Sequence, residues 1–234
     1  MAKPNVWMSV SDLMTGLMVI FLFITVSYMS QMRKNQRVLD DYVETKNQLH
    51  DSLSSRFQGD KTVEIGKDLS MKFTQATTLF EPAKADISYD FKVTLSNILP
   101  RYFDILLNSD FRDKIVEVRV EGHTDDVPFP QRDQDSYIAN IMLSQERALE
   151  IVKYIRKMSY YKNLSKEDQK QLQFWLTANG LSYGKAIDSN GEYTFYSDKP
   201  INRTKSRRVE FRIVTSGEEL LVDFVNKNEN SLTK

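Results

Sequence analysis

A single acidic residue lies at the start of the most apolar stretch of this chain. Asp12 is followed by the uncharged run Leu13–Met29, and a carboxylate within a membrane-spanning helix costs about 2.5–3.5 kcal/mol even on lenient insertion scales. A group that is neutral in lipid and charged in water is suited to carrying an ion. Thr15 and Gly16 share the helical face of Asp12, so the sequence predicts that Asp12 and Thr15 translocate an ion. Both a proton and Na⁺ are compatible with this pair.

Three polar motifs in the second half of the chain supply the other candidate residues. They are Val120-Glu-Gly-His-Thr-Asp-Asp126, Asn140-Ile-Met-Leu-Ser-Gln-Glu-Arg-Ala148 and Asn202-Arg-Thr-Lys-Ser-Arg-Arg-Val-Glu-Phe211. Taken one at a time, such residues favour a simple Asp–Arg pair that stabilises a loop, with the double arginine on a solvated strand edge.

Composition excludes several classes of function. The 234 residues contain no cysteine, so disulfides, thiolate metal sites, a thiol nucleophile and a lipoprotein anchor are excluded. The 32 basic and 32 acidic side chains balance, which gives no electrostatic case for nucleic-acid binding. The two histidines, and the lack of a catalytic triad or phosphate loop, argue against an enzyme. We predict no enzymatic activity, no metal site and no cofactor other than the translocated ion.

The elements that must position these residues follow from hydrophobic spacing. Residues 6–30 are long and apolar enough for an uncleaved transmembrane helix, because a cleaved signal peptide would need a stronger basic start and a small-residue cleavage site. Residues 1–5 precede this helix, 31–60 form a polar linker that is solvated or partly helical, 61–215 form one globular domain, and 216–234 form a tail with a short helix.

Within 61–215 the pattern alternates between strand and helix signals. Their order predicts an α+β sandwich with helices on one face of the sheet. Strands or hairpins are predicted over 63–73, 115–121, 174–178 and 208–214, and helices over 90–108, with Pro100 as a kink or break, and over 144–158.

Together, the three ordered motifs resemble the OmpA-like peptidoglycan-binding domain over about residues 61–215. In that family one Asp and one Arg grip diaminopimelate, whose ammonium and carboxylate need an acceptor and a planar donor. The resemblance therefore implies peptidoglycan as a partner. It implies a binding site made of Thr124, Asp125, Asn140, Leu143, Arg147 and Arg207. The long segment after Asp126, and Ser206 in place of the usual Asn, depart from the family pattern.

The amino-terminal segment Ser11-Asp-Leu-Met-Thr-Gly-Leu-Met18 is similar to the membrane helix of MotB-type stator subunits. Within that superfamily the chain most resembles the ZorB subunits of Zorya anti-phage systems. The resemblance implies a homodimer within a pentameric ring of multi-span A-type membrane subunits, driven by ion flow and fixed to the cell wall. A flagellar stator subunit and a passive anchor between membrane and wall are the alternatives, whereas TolR-type or ExbD-type subunits lack this domain.

The orientation in the membrane has two conflicting signals. Arg33, Lys34 and Arg37 follow the apolar run, and the positive-inside rule taken alone would place the second domain in the cytoplasm. The resemblance implies the opposite arrangement in the bacterial inner membrane, with residues 1–5 in the cytoplasm and the domain in the periplasm.

Overall fold

The computed structural model describes residues 6–73, 79–80, 84–128 and 135–218. Helix α1, Val6–Arg56, contains 51 residues and is about 77 Å long at 1.5 Å per residue. Among the described residues it is the one helix that is long and apolar enough to cross a membrane. Its most apolar 18-residue stretch has a mean hydropathy of 2.0, and none of that stretch is buried against the rest of the chain. The predicted linker therefore begins as a continuation of the membrane helix.

The end of α1 belongs to the core of the second domain. Leu49, Leu53 and Phe57 are at most 4% exposed and share one helical face at i, i+4 and i+8. Arg101 continues this attachment, because its guanidinium lies over the ring of Phe57 and forms an ion pair with Asp60 at 3.2 Å. The membrane segment and the globular domain are thus joined by a packed helix.

The domain contains a five-stranded sheet in the order β1-β2-β5-β3-β4. Neighbours are antiparallel except β3 and β4, which are parallel and therefore need a crossover connection. The strands are β1 Val63–Ile65, β2 Ser70–Phe73, β3 Ile115–His123, β4 Leu176–Gly180 and β5 Arg208–Thr215.

Helices cover one face of the sheet, and the crossover between β3 and β4 is itself helical. Val118, Val120, Phe211 and Ile213 on that face are fully buried. This confirms the predicted α+β class with an apolar amino-terminal helix. The helices are α2 Tyr89–Leu106, α3 Ser109–Arg112, α4 Ser136–Lys157, α5 Ser159–Asn163, α6 Lys166–Trp175, α7 Thr194–Ser197 and α8 Arg203–Ser206.

Several element boundaries differ from the prediction. Pro100 lies inside α2 and does not end it. The predicted strand over 174–178 begins at Leu176 instead, because Trp175 ends α6 and its indole donates a hydrogen bond to the Ile115 carbonyl at 2.8 Å. Helix α4 begins at Ser136 rather than Ser144, since the Asp135 side chain caps its first turn. Of the predicted tail, residues 219–234 lie outside the described residues.

Candidate functional site

The first predicted motif ends β3 and enters a tight loop. The Thr124 amide donates to the Ser182 carbonyl at 3.0 Å. The Asp125 carboxylate accepts from the Val127 amide at 3.2 Å, which is the short side-chain turn that aspartate favours. Asp125 is therefore held at the carboxyl end of β3 with its other oxygen turned to neighbouring side chains.

The second motif lies on α4, directly against this loop. Asn140, Leu143 and Arg147 recur at i, i+3 and i+7, so they share one face, and all three are buried. The Asn140 amide donates to the Val127 carbonyl at 3.3 Å and to the Ser136 carbonyl at 3.0 Å. This side chain therefore fastens the helix to the loop that carries Asp125.

Two glycines let α4 approach the sheet this closely. A Cβ atom on Gly122 would lie 2.3 Å from the Ser144 carbonyl oxygen, and one on Gly180 would lie 2.4 Å from the Gln145 amide nitrogen. The Gln145 side chain also bonds β4, accepting from the Gly180 amide at 2.7 Å and donating to the Ala178 carbonyl at 2.9 Å. Small residues on β3 and β4 thus fix where Arg147 emerges.

Asp125, Arg147 and Arg207 come together in space although they are far apart in sequence. Arg207 donates to the Asp125 carboxylate at 2.5 Å. Burial lowers the pKa of Arg147 to about 10, and the neighbouring Arg207 acts in the same direction, while Asp125 raises it. Arg147 stays charged at neutral pH because this pKa is still well above 7. The cluster presents one carboxylate and two guanidinium groups.

The guanidinium of Arg147 is supported by a segment that contains none of the three motifs. Its carbon lies 4.9 Å from the centre of the Phe80 ring, and its Nε donates to the Lys84 carbonyl at 3.0 Å. A cation over an aromatic face is attracted by the electron-rich ring. No pattern in the sequence singles out Phe80 as a site residue.

A second ion pair lies beside the first and was also absent from the predicted site. Arg203 donates to both carboxylate oxygens of Asp126, at 2.7 and 3.2 Å. This hydrogen bonding lowers the pKa of Asp126. Asp126 follows the predicted Asp125 directly, and Arg203 lies four positions before the predicted Arg207. Their places within the quoted motifs were the signal available in the sequence.

The remaining predicted residues have unequal support. Thr124 is 2% exposed, and within the described part of the chain its hydroxyl oxygen has no hydrogen-bond partner. Leu143 is buried and contributes apolar surface only. The structure brings the six predicted residues to one end of β3 and α4, and their role in ligand binding stays a prediction.

The predicted ion-carrying residues lie near the amino-terminal end of α1, the end away from the sheet domain. Asp12 is exposed on the single chain, and the Thr15 hydroxyl donates to the Ser11 carbonyl at 2.8 Å. The Thr15 hydroxyl hydrogen is therefore used in a bond to the helix backbone, whereas its oxygen lone pairs can still accept a hydrogen bond or contact a cation.

A buried polar cluster lies on the sheet face opposite the helices. Donor atoms of Glu121, His123 and Glu210 lie within 4.8 Å of one another, a spacing that could suit a metal. Arg208, however, already pairs with Glu210 at 2.5 Å, and burial lowers the pKa of His123. The lowered pKa leaves the His123 ring neutral, so the strong ion pair of this cluster is that between Arg208 and Glu210, which neutralises one of its two carboxylates. The absence of a metal site stays a prediction.

Comparison with known proteins identifies the family. No protein-family model matches the chain. A Zorya protein ZorB from the Crooks strain of Escherichia coli is 31% identical over 221 residues, covering 91% of this chain and 88% of that protein. The chain belongs to the ZorB family. A Zorya protein ZorB from a second Escherichia coli strain is 24% identical over 220 residues, covering 91% of this chain and 81% of that protein.

Among solved structures, a MotB-like protein from Desulfovibrio vulgaris has a TM-score of 0.47 and 19% identity, covering 77% of this chain and 98% of that one. The predicted resemblance to ZorB subunits is confirmed by the sequence comparison, which spans both the apolar helix and the sheet domain.

Proposed function

We propose that this chain is the peptidoglycan-anchored B subunit of an inner-membrane, ion-driven rotary motor in anti-phage defence. The observation that supports the proposal is that a single chain of the ZorB family carries both candidate sites, one at each end of α1. A lone carboxylate, Asp12, lies within the apolar part of α1, and the cluster of Asp125, Arg147 and Arg207 lies in the domain packed on the other end of that helix.

The membrane half of the proposal rests on Asp12 and Thr15. Asp12 alternates between a protonated and an ionised form as an ion, most simply a proton, passes along the helix. One elementary charge moving through about 100 mV releases about 2.3 kcal/mol, and several such steps drive rotation. Two copies of the chain stand inside a pentameric ring of multi-span A-type subunits, and the ring turns around them.

The wall-binding half of the proposal rests on the three charged residues at the end of β3. The Asp125 carboxylate accepts hydrogen bonds from the ammonium of diaminopimelate, and the guanidinium groups of Arg147 and Arg207 donate to its carboxylate in a planar fork. In the free chain Arg207 occupies one oxygen of Asp125. Ligand binding therefore exchanges an internal ion pair for external ones, which keeps every buried charge paired.

The proposed chemistry also sets the orientation. Peptidoglycan lies outside the inner membrane, so the domain must be periplasmic and residues 1–5 cytoplasmic. The basic residues Arg33, Lys34 and Arg37, exposed on α1, then follow the span on the periplasmic side, against the positive-inside rule. Packing of α1 within the ring of partner subunits outweighs this rule and favours the orientation with the domain in the periplasm.

Phage plating efficiency tests the motor directly. Cells carry the native operon with the wild-type chain, Asp12→Asn, or the matched control Asp40→Asn, which removes an exposed carboxylate from the same helix. At equal expression we expect Asp12→Asn to abolish protection and Asp40→Asn to keep it. Protection by Asp12→Asn would leave a passive anchor, and swimming rescued in a stator-deleted strain would indicate a flagellar role.

A further inference from the structure

Two of the most exposed aromatic side chains of the sheet domain stand next to each other on the short helix α7. Phe195 is 83% exposed and Tyr196 is 80% exposed. Their ring centres are 5.1 Å apart with an interplanar angle of 83°, and Tyr193 lies 6.5 Å from Tyr196. We refer to Tyr193, Phe195 and Tyr196 as the aromatic platform. Such exposure costs solvation free energy, and neither the ion site nor the proposed pocket uses it.

The backbone beneath the aromatic platform is fixed by several hydrogen bonds. The Thr194 amide donates to the Ala186 carbonyl at 3.0 Å. The buried Asp188 carboxylate accepts from the amides of Asn190 and Glu192 at 2.8 and 3.0 Å. Ile187 and Tyr193 also form an isolated antiparallel bridge. The rings are therefore presented by an ordered turn, which lowers the entropy cost of binding a ligand on them.

The same segment is fastened to the proposed peptidoglycan pocket at both ends. At its start, Ser182 accepts from the amide of Thr124 at 3.0 Å. At its end, the Arg203 guanidinium bonds both oxygens of Asp126. Tyr196 and Arg203 are only seven positions apart, a chain length of at most about 25 Å. The aromatic platform and the pocket therefore belong to one framework within a short reach of each other.

The surroundings of the aromatic platform fit a sugar. A cleft of about 400 Å³ is lined by Gly191, Glu192, Tyr193, Tyr196 and Ser197. Pyranose rings have faces of C–H groups, which pack on the electron-rich faces of aromatic rings, and rims of hydroxyls, which need polar partners. The neighbouring Glu192, Asp198 and Lys199 are exposed and polar, so they can hydrogen-bond the hydroxyls at the rim of a sugar ring that stacks on the aromatic platform.

We propose that the aromatic platform binds the glycan strand of peptidoglycan by stacking on its sugar rings. This inference rests on the proposed function, because a stem peptide held by Asp125 and Arg147 is covalently attached to a glycan strand. That strand must then pass within reach of the domain surface. The chain thus grips the wall at two chemically different points, the charged stem peptide and the uncharged face of the sugars.

The experiment uses the full-length chain in nanodiscs and three probes. These are intact sacculi, a free stem peptide containing diaminopimelate, and glycan strands stripped of peptide by an amidase. We expect the double variant Phe195→Ser/Tyr196→Ser to bind sacculi about tenfold more weakly, to lose binding to stripped glycan, and to bind the stem peptide as the wild type does. Phe174→Ser, which removes a phenylalanine that is 72% exposed on α6, is the matched control and should change none of these.

The outcomes separate this inference from the proposed function. Asp125→Asn should weaken stem-peptide binding and leave stripped-glycan binding intact. If the double variant binds sacculi and stripped glycan as tightly as the wild type, the aromatic platform is not a glycan site. If the double variant instead changes self-association in sedimentation and leaves glycan binding unchanged, the rings form a protein contact and the inference fails. A wild-type chain that binds no probe would overturn the proposed wall binding together with this inference.

Discussion

In the proposed pocket, Arg147 is held both by an aromatic ring and by a backbone carbonyl. It is 8% exposed, and its guanidinium is fixed by the Phe80 ring and the Lys84 carbonyl. A buried arginine needs such partners because an unpaired charge in a low-dielectric site costs several kcal/mol. The contacts leave the outer edge of the planar group to face Asp125 and Arg207, where a ligand carboxylate would be bound.

Replacing Arg147 with lysine tests whether the planar fork matters. Arg147→Lys keeps the positive charge but loses the paired donors and the stacking on Phe80. We expect affinity for a diaminopimelate stem peptide to fall about tenfold to a hundredfold, since a hydrogen bond to a charged group is worth about 1.5–3 kcal/mol. Calorimetry measures the change. Arg156→Lys, on the same helix beside Tyr161, is the control, and equal affinity in both variants would exclude Arg147 from the pocket.

At the scale of elements, the distance between α4 and the sheet decides whether the pocket exists. The helix rests on Gly122 and Gly180, where there is no room for a methyl group. The Gln145 side chain then bonds the edge of β4. Any outward shift of α4 would move Asn140 and Arg147 together, because both lie on its buried face.

Gly180→Ala tests this contact. The new methyl group would meet backbone atoms of Ile141 and Gln145 at 2.4–2.8 Å, so we expect a loss of about 1–3 kcal/mol in the free energy of unfolding. Urea unfolding followed by tryptophan fluorescence measures it, because Trp175 is fully buried against β3. Gly184→Ala is the control, since its nearest neighbour is the movable Tyr137 hydroxyl at 3.1 Å. Equal stability in both variants would mean that α4 tolerates a wider spacing.

At the scale of the whole molecule, α1 couples the membrane segment to the domain. It runs from Val6 to Arg56 without a break, and its last turns are buried through Leu49 and Leu53. A continuous helix fixes the direction in which Asp12 points relative to the domain, because each residue adds about 100° of rotation. The angular position of the carboxylate is thus set by the domain core.

Insertions into α1 after Arg37 test this coupling. Two added alanines rotate Asp12 by about 200° relative to the domain, whereas seven helix-forming residues rotate it by about 700°, within 20° of two full turns. We expect phage protection to be lost with two residues and retained with seven. Because the longer insertion changes the length of the helix more, the reverse result would show that reach rather than angle matters.

The stability of the domain at low pH is also a property of the whole molecule. Hydrogen bonds lower the pKa of several carboxyl groups. Among them are Asp60, bonded by Thr62, Asp126, bonded by Arg203, and Asp168, bonded by Ser165. A carboxyl group whose pKa is lower in the folded chain than in the unfolded chain stabilises the fold at pH values above its unfolded-state pKa of about 3.9. This stabilisation is lost as the pH falls through the pKa of the folded state.

We therefore expect the unfolding temperature to be flat above about pH 7 and to fall steeply below about pH 4. A decline already begins below about pH 6.5, because burial lowers the pKa of His123 and the unfolded chain therefore takes up this proton first. Asp168→Asn should lower the free energy of unfolding by about 1–2 kcal/mol at pH 7, because the Asp168 carboxylate accepts a hydrogen bond from the Arg112 guanidinium at 2.6 Å. As the pH falls through the lowered pKa of Asp168, the destabilisation caused by the substitution should shrink, because the wild-type carboxyl group then loses the charge that Arg112 pairs with. A cost that persists unchanged at low pH would show that packing rather than charge is responsible.

The sequence by itself determined the class of this protein. Hydrophobic periodicity placed the apolar helix, the strands and the main helices, because burial dictates a period of 3.6 or 2 wherever one face is covered. The three ordered motifs indicated the residues that meet at the end of β3. Asp12 was evident from sequence alone, since a charge in an apolar run stands out without any knowledge of the fold.

Only the tertiary structure decided the contacts between distant residues. Phe80 lies 67 positions from Arg147 in the sequence, and nothing local marks it as the ring beneath that guanidinium. The pairing of Arg207 rather than Arg147 with Asp125 depends on where β5 is registered against β3. The linker became part of the core because Leu49, Leu53 and Phe57 find their apolar partners in the sheet domain. Local spacing fixes which way a side chain points, whereas its partner is fixed by how the elements pack.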